Sequence, residues 1–133
     1  MPNPTQNFFS RFANFVFYSQ IDSFVVSLKQ QNPGAVFILT TPGDSYRKVR
    51  KGKLPNPDIK LARNTIIEYC KKNNLAYWDL YEIMGGFGSM GKWYTAKLTA
   101  KDRLHFSKKG YEIQGELFYK AIMNAYSAYL QKQ

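Results

Sequence analysis

The sequence has one cysteine and one histidine, which excludes any site that needs several such ligands. A lone Cys70 cannot form an internal disulfide, and it leaves the redox compartment open, since a secreted protein without disulfides is equally consistent with it. Zinc sites in proteins are built mostly from three or four Cys and His side chains, a set that this chain does not contain. We therefore expect no metal ion.

Long apolar runs are also missing. No run approaches the roughly 18 residues that a membrane-spanning helix requires, so we expect no membrane partner. The first residues, Met1-Pro2-Asn3-Pro4, lack the basic start and the apolar stretch of a signal peptide, so an export signal would have to lie outside this chain. The chain does contain 44% apolar residues among 133, enough to bury about two-thirds of the unfolded surface of one soluble domain.

Acidic residues are scarce, because nine of them stand against nineteen lysines and arginines, for a net charge of +10. Clustered basic side chains neutralise phosphates, which raises nucleic acid as a partner. Five of the basic residues, however, lie within residues 47–53, and most of the others are scattered over predicted solvent faces of helices. We interpret this basic segment (residues 47–53) as an exposed loop and do not expect a nucleic-acid partner. An anionic partner such as a cell-wall polymer is the alternative.

Apolar periodicity predicts the elements of the first half of the chain. From Asn7 to Gln31, apolar residues recur at steps of three and four, the period of one helical face. Residues 35–41 form a short, continuously apolar run that suits a parallel strand buried on both faces. Residues 42–57 contain prolines, glycine and the basic segment, which predicts a loop. The predicted inward face of the helix consists of Phe8, Phe12, Phe15, Tyr18, Ile21, Val25 and Leu28.

The second half repeats this alternation. A helix follows Pro57 with Cys70 as a small core residue, and residues 75–80 form a second short strand. A glycine-rich loop at residues 84–91 precedes a final helix that Ser107 can cap. The order of helices and strands is typical of a single α/β domain with parallel strands. The predicted inward face of the final helix consists of Tyr111, Leu117, Phe118, Ala121, Ile122, Ala125 and Tyr129.

Two strands make a small sheet with an open edge on each side. Open edges are normally paired or covered, because their unpaired N–H and C=O groups otherwise recruit another chain. The neighbouring strands could come from another copy of the chain or from a missing N-terminal segment, or the long first helix could cover an edge. From these edges we predict a homodimer.

The single histidine, His105, follows Asp102 by three residues, just before the final helix. An aspartate at this distance can accept a hydrogen bond from one ring nitrogen, fix the tautomer, and leave the other nitrogen free to take a proton from a nucleophile. On the loop after a parallel strand, the pair would lie where α/β enzymes place their chemistry. The structural alternative is a hydrogen-bonded histidine near a helix start, with Asp102 as a surface acid paired to lysine or arginine.

The residues around this pair carry a family resemblance. With Phe106-Ser107, Gly110-Tyr111 and the closing helix, Asp102 and His105 form a pattern that resembles the SGNH, or GDSL-type, ester hydrolases. Residues 37–42, 77–81 and 84–90, with Trp93, are similar to the branch of that family found in gut and environmental Bacteroidetes, which acts on acetylated cell-wall or plant glycans. The resemblance covers most of the chain from about Ile21 onward. It implies a flavodoxin-like, three-layer α/β/α fold with a short parallel sheet, in one domain over residues 1–133.

By motif, Asp102 carries over as the orienting acid and His105 as the general base. The resemblance implies serine attack on an acylated carbohydrate through an acyl-enzyme, without a cofactor, in a periplasmic or extracellular setting. The family's nucleophile block, its oxyanion glycine and its Gly-x-Asn-Asp block have no match upstream of Ile21. We therefore expect the chain to correspond to the C-terminal half of the domain and to be catalytically incomplete.

Within the chain, the candidate nucleophile is Ser45, because Gly43-Asp44-Ser45 spells the family's tripeptide and follows a strand. A nucleophile elbow leads directly into a helix whose amides stabilise the oxyanion, whereas Ser45 leads into the basic segment. We therefore interpret Ser45 as a turn residue, and Ser89 as a weaker candidate still. The alternative to an esterase is a non-catalytic module that binds a glycan or polyanion through the basic segment and an aromatic groove with Trp93 and Tyr94.

Overall fold

The structure is a computed structural model that describes residues 4–133, with side chains from Ser10 onward. The chain forms two compact units. The first unit comprises the described residues up to Pro42 and Asp58–Asp79, and the second unit comprises Gly43–Pro57 and Leu80–Gln133. The elements in chain order are α1 (Pro4–Gln31), β1 (Ile38–Thr40), β2 (Tyr46–Val49), β3 (Gly52–Pro55), α2 (Asp58–Lys72), β4 (Ala76–Trp78), α3 (Leu80–Met84), α4 (Ser89–Thr95) and α5 (Lys108–Leu130).

The first unit contains the parallel strands that the alternation of elements predicts. Strand β1 pairs with β4 in parallel, and the helices α1 and α2 pack against each other. The Tyr69 hydroxyl donates to Asp22 Oδ1 at 3.1 Å, and its ring lies edge-on to Tyr18 at 5.1 Å. Cys70 is fully buried, as predicted for a small core residue. Aromatic packing and one hydrogen bond thus join the two helices of this unit.

The burial predicted for this unit is only partly correct. Strand β1 is not buried on both faces, since Ile38 is 47% exposed. The described helices leave that face of the strand partly uncovered. The predicted face of α1 is buried at Val25, but Phe12 and Phe15 are more than half exposed. Helix α1 has 28 residues, about 42 Å, whereas α2 has 15, about 22 Å, and cannot cover its length. Phe8 lies outside the described side chains.

The second unit opens with a β-hairpin where the composition predicts a loop. Strands β2 and β3 are antiparallel, with Val49 opposite Gly52 and the basic segment spread over both strands and the turn. Gly52 has a φ of +104°, a conformation that closes the turn and that other residues rarely adopt. The loop prediction was wrong because prolines and charged side chains obscured the strand pattern.

Two further helices of the second unit differ from the expectation. The segment 84–91 is not wholly a loop, since α4 begins at Ser89, inside it. Ser107 caps α5 as predicted, and its Oγ accepts from Gly110 N at 3.2 Å. The C-terminal half of α5 is exposed, because nothing in the described chain covers it. The inward face predicted for α5 is therefore wrong at Tyr111, Ile122, Ala125 and Tyr129, and Leu117, Phe118 and Ala121 are half-buried.

None of the helices that the structure describes combines the length and the apolarity needed to cross a membrane.

Candidate active site

The segment between α4 and α5 folds back on itself and places the acid and the histidine at its tip. Thr99 and Phe106 form an isolated antiparallel bridge, and Ala100 N donates to His105 O at 2.9 Å. Arg103 has a φ of +55°, in the left-handed region that non-glycine residues seldom adopt, and it reverses the chain between the two functional side chains. We call residues 99–106 the dyad loop.

Asp102 receives three hydrogen bonds in this loop. Its Oδ2 lies 2.6 Å from His105 Nδ1, and its Oδ1 accepts from the N–H groups of Leu104 at 2.9 Å and His105 at 3.0 Å. The bond with the His105 ring, and then those with the N–H groups of His105 and Leu104, hold the pKa of Asp102 well below its ordinary value. Asp102 is therefore a carboxylate at neutral pH and binds the ring through Nδ1–H.

The imidazole of His105 is oriented but accessible. Its side chain is 66% exposed, and Nε2 has no hydrogen-bond partner among the described residues. The structural alternative requires an ion pair between Asp102 and a lysine or arginine. Asp102 forms no such pair in the described chain. With Nδ1–H held by Asp102, Nε2 carries a lone pair that can accept a proton. The ring of His105 is therefore oriented by Asp102, and its Nε2 side faces solvent.

The β2–β3 hairpin contacts the dyad loop on both sides of Asp102. Lys53 Nζ donates to the carbonyl oxygen of Lys101 at 2.7 Å, and Tyr46 N donates to that of Arg103 at 2.9 Å. The Arg103 guanidinium stacks over the ring of Tyr94 at 4.3 Å and that of Tyr46 at 5.3 Å. Sequence reasoning missed the supporting contacts of Tyr46 and Lys53 because it did not identify the hairpin.

The start of α5 packs closely behind the dyad loop. A Cβ at Gly110 would lie 2.0 Å from the carbonyl oxygen of Leu98, so a larger residue would displace either the helix or the loop. Phe106 packs edge-on against Trp93 at 5.6 Å and Tyr111 at 5.5 Å. The motif residues Phe106 and Gly110 therefore hold α5 against the loop that carries the dyad.

The tripeptide 43–45 lies in the same unit but is buried. Ser45 is 3% exposed, and its Oγ has no hydrogen-bond partner in the described part of the chain, so it is not bonded to His105. It leads into strand β2 rather than a helix. Asp44 is fully buried, and its Oδ2 accepts from Met90 N at 2.9 Å. Ser89 is also buried. The structure thus places Asp44 as a support for the start of α4.

Burial raises the pKa of Asp44, and the hydrogen bond from Met90 N–H acts in the opposite direction. Among the described residues, no group of three or more His, Cys, Asp or Glu side chains is placed to hold a metal ion.

No protein-family model matches the chain, and no curated protein matches it either. Solved structures that are similar to it include two esterases. A peptidoglycan O-acetylesterase matches with a TM-score of 0.71 and 18% identity, over 87% of this chain and 32% of that one. The esterase domain of the ORF1 protein from the zebrafish ZfL2-1 retrotransposon matches with a TM-score of 0.60 and 18% identity, over 84% of this chain and 60% of that one.

These likenesses show the fold. The chain has the α/β fold of SGNH-type esterases, as its sequence pattern predicts. It spans 32% and 60% of the lengths of the two chains that it matches.

Proposed function

We propose that this chain supplies the acid and the base of an SGNH-type ester hydrolase, with Asp102 orienting His105. The observation that carries the proposal is the 2.6 Å contact between Asp102 Oδ2 and His105 Nδ1 on an exposed loop. The α/β fold that the chain shares with two esterases supports it.

The chemistry follows from this geometry. As a serine oxygen attacks the ester carbonyl, His105 Nε2 takes the serine proton, and it then gives that proton to the departing alcohol. Water enters by the reverse route: Nε2 takes a water proton, the hydroxide attacks the acyl-serine, and the proton returns to the serine. Asp102 stays ionised throughout and stabilises the imidazolium that forms twice in the cycle.

The nucleophile is proposed to come from outside this chain. Ser45 is buried without a hydrogen bond to His105, which argues against it. The chain would then correspond to the C-terminal part of the esterase domain, in the Bacteroidetes-like branch that its sequence resembles, and would be inactive alone. The share of the two esterase chains that it spans supports this part of the proposal.

The proposed substrate is an acylated carbohydrate, and the proposed assembly is a homodimer through the open edge of β1. One of the two similar structures is a peptidoglycan O-acetylesterase, which supports a glycan ester. The edge of β1 that β4 does not pair supports pairing with another strand. Sizing chromatography tests the dimer, and elution at the 15.4 kDa of one chain would contradict it.

The first test is hydrolysis of p-nitrophenyl acetate by the purified chain, beside His105→Ala and Ser45→Ala. We expect the wild type to match the His105→Ala background, because the proposed nucleophile lies outside this chain. Activity that both substitutions abolish would instead identify Ser45 as the nucleophile and the chain as a complete esterase.

A second test examines the dyad itself. The part of the peptidoglycan O-acetylesterase that this chain does not match is fused ahead of it, to supply a serine. We expect ester hydrolysis that falls on the order of 10⁴-fold in Asp102→Asn and about 10⁶-fold in His105→Ala. An active fusion that keeps its rate in His105→Ala would refute the proposed base.

A further inference from the structure

The positive charge of the protein is concentrated on the unit that carries the dyad. The second unit has thirteen basic and five acidic residues, a net charge of +8, whereas the first has six and four, a net of +2. A field of one sign around a site raises the local concentration of ligands of the opposite sign. The distribution therefore favours a negatively charged ligand for the second unit.

Two lysines of the hairpin lie directly opposite each other. Lys48 on β2 pairs in register with Lys53 on β3. Like charges at opposed positions of an antiparallel pair repel and destabilise the hairpin. No carboxylate in the described chain forms an ion pair with Lys48, which is exposed. An anion bound between the two ammonium groups would relieve this repulsion.

This pair lies on the hairpin face that borders the dyad loop. Side chains alternate along a strand, so Lys48 and Lys53 share a face with Tyr46. On that face Lys53 Nζ bonds to the carbonyl of Lys101, and the Tyr46 ring stacks with Arg103. Because Lys101 and Arg103 flank Asp102 in the sequence, the basic face of the hairpin contacts the loop that carries the dyad.

We propose that Lys48, Lys53 and Arg103 bind the carboxylate or phosphate groups of an acidic, O-acylated glycan and so hold its ester beside His105. This inference rests on the proposed function and specifies its substrate class. A glycan fits better than a nucleic acid because the neighbouring dyad acts on acyl esters, which nucleic acids lack.

The experiment measures binding of the purified chain to three O-acetylated polymers. One is polygalacturonate, which carries carboxylates, the second is a phosphodiester-linked glycan, and the third is neutral glucomannan. We expect the charged polymers to bind at least about tenfold more tightly than the neutral one at low salt, with the advantage falling as salt rises. The charged polymer that binds more tightly shows whether the site prefers carboxylate or phosphate groups.

Two double variants localise the site. Lys48→Gln with Lys53→Gln should weaken binding to the better charged polymer about tenfold. Lys120→Gln with Lys132→Gln removes the same charge from exposed positions in and after α5 and should change binding less than about twofold. Lys48→Gln alone retains the hydrogen bond of Lys53 to the dyad loop, so an effect of this variant cannot arise from loss of that contact.

Three results would overturn the inference: equal binding of neutral and charged glycans, equal loss in the two double variants, or tighter binding of single-stranded RNA than of either charged glycan. Binding needs no turnover, so His105→Ala should bind as the wild type does. If the proposed esterase function is refuted, the binding result therefore still stands. If the binding experiment fails, the proposed role of Asp102 and His105 is unaffected.

Discussion

The two units of this protein differ in net charge and in backbone geometry. The first unit holds the parallel strands and two helices packed through Tyr69, with a net charge of +2. The second holds the dyad loop and the basic hairpin, with a net charge of +8. Of the seven described residues with positive φ, six lie in the second unit. Left-handed backbone is thus concentrated in the loops and turns of the second unit, and one such residue, Arg103, lies in the dyad loop.

The difference teaches where each unit is sensitive to substitution. In the first unit, stability comes from apolar side chains that fill space, so loss of volume should matter most. In the second, glycines and buried polar groups permit close approaches between a loop and a helix, so added volume and altered charge should matter most. Substitutions of matched chemistry test each half of this contrast.

The largest effect should come from Gly110→Ala in the second unit. A Cβ there would meet the Leu98 carbonyl oxygen at 2.0 Å, so we expect a loss of about 3 kcal/mol in the free energy of unfolding. Gly115→Ala, in the same helix and with nothing within 4 Å, should instead stabilise the protein by about 0.5–1 kcal/mol. Urea denaturation measures both, and equal effects would contradict the close approach.

The next effect should come from Val25→Ala in the first unit. Val25 is 2% exposed, and the lost methyl groups and the resulting cavity should cost about 2 kcal/mol. Val36→Ala makes the same chemical change at a side chain that is 89% exposed and should lie within about 0.5 kcal/mol of the wild type. If thermal unfolding shows both variants equally affected, the stability of the first unit does not depend on its buried side-chain volume.

The smallest effect should be a change in pH dependence at two aspartates of the second unit. The pKa of Asp44 is raised in the folded protein, so folding favours its protonated form. Asp44 therefore contributes most to stability below pH 3.8, and this contribution is lost as the pH rises through the raised pKa. Asp44→Asn should remove that pH-dependent loss, so its stability relative to the wild type should rise between pH 4 and pH 7. Its side-chain oxygen can still accept the Met90 hydrogen bond.

Asp102→Asn should shift stability in the opposite direction. The lowered pKa of Asp102 contributes stability above its ordinary pKa, and that stability is lost as pH falls through the lowered value. The variant should therefore be less stable than the wild type at neutral pH. Denaturant midpoints at pH 4 and pH 7 compare both variants with the wild type, and a relative stability that changes with pH in the same direction for both would contradict the assignment.

Much of the fold follows from local patterns. Periodicity predicts α1, α2 and α5, and two short apolar runs predict the parallel pair β1 and β4. The hairpin was missed because proline and a dense set of charges are also the signature of a loop. Burial was overestimated for Phe15 and Tyr129, because an apolar stripe shows which face could be buried and not whether another element covers it.

The contact between Asp102 and His105 is local. The two residues are three apart, and the loop's own backbone bonds bring their side chains together, so the sequence by itself determined this pair and the helix that follows it. Its role as orienting acid and base remains a prediction.

Only the tertiary structure decided the surroundings of the pair. Lys53 reaches Lys101 across 48 positions, Asp44 reaches Met90 across 46, and Ser45 is buried although its tripeptide matches that of a nucleophile. The physical reason is that periodicity and spacing report backbone geometry over a few residues. Burial, charge proximity and the access of a side chain to solvent depend on which distant segments pack together.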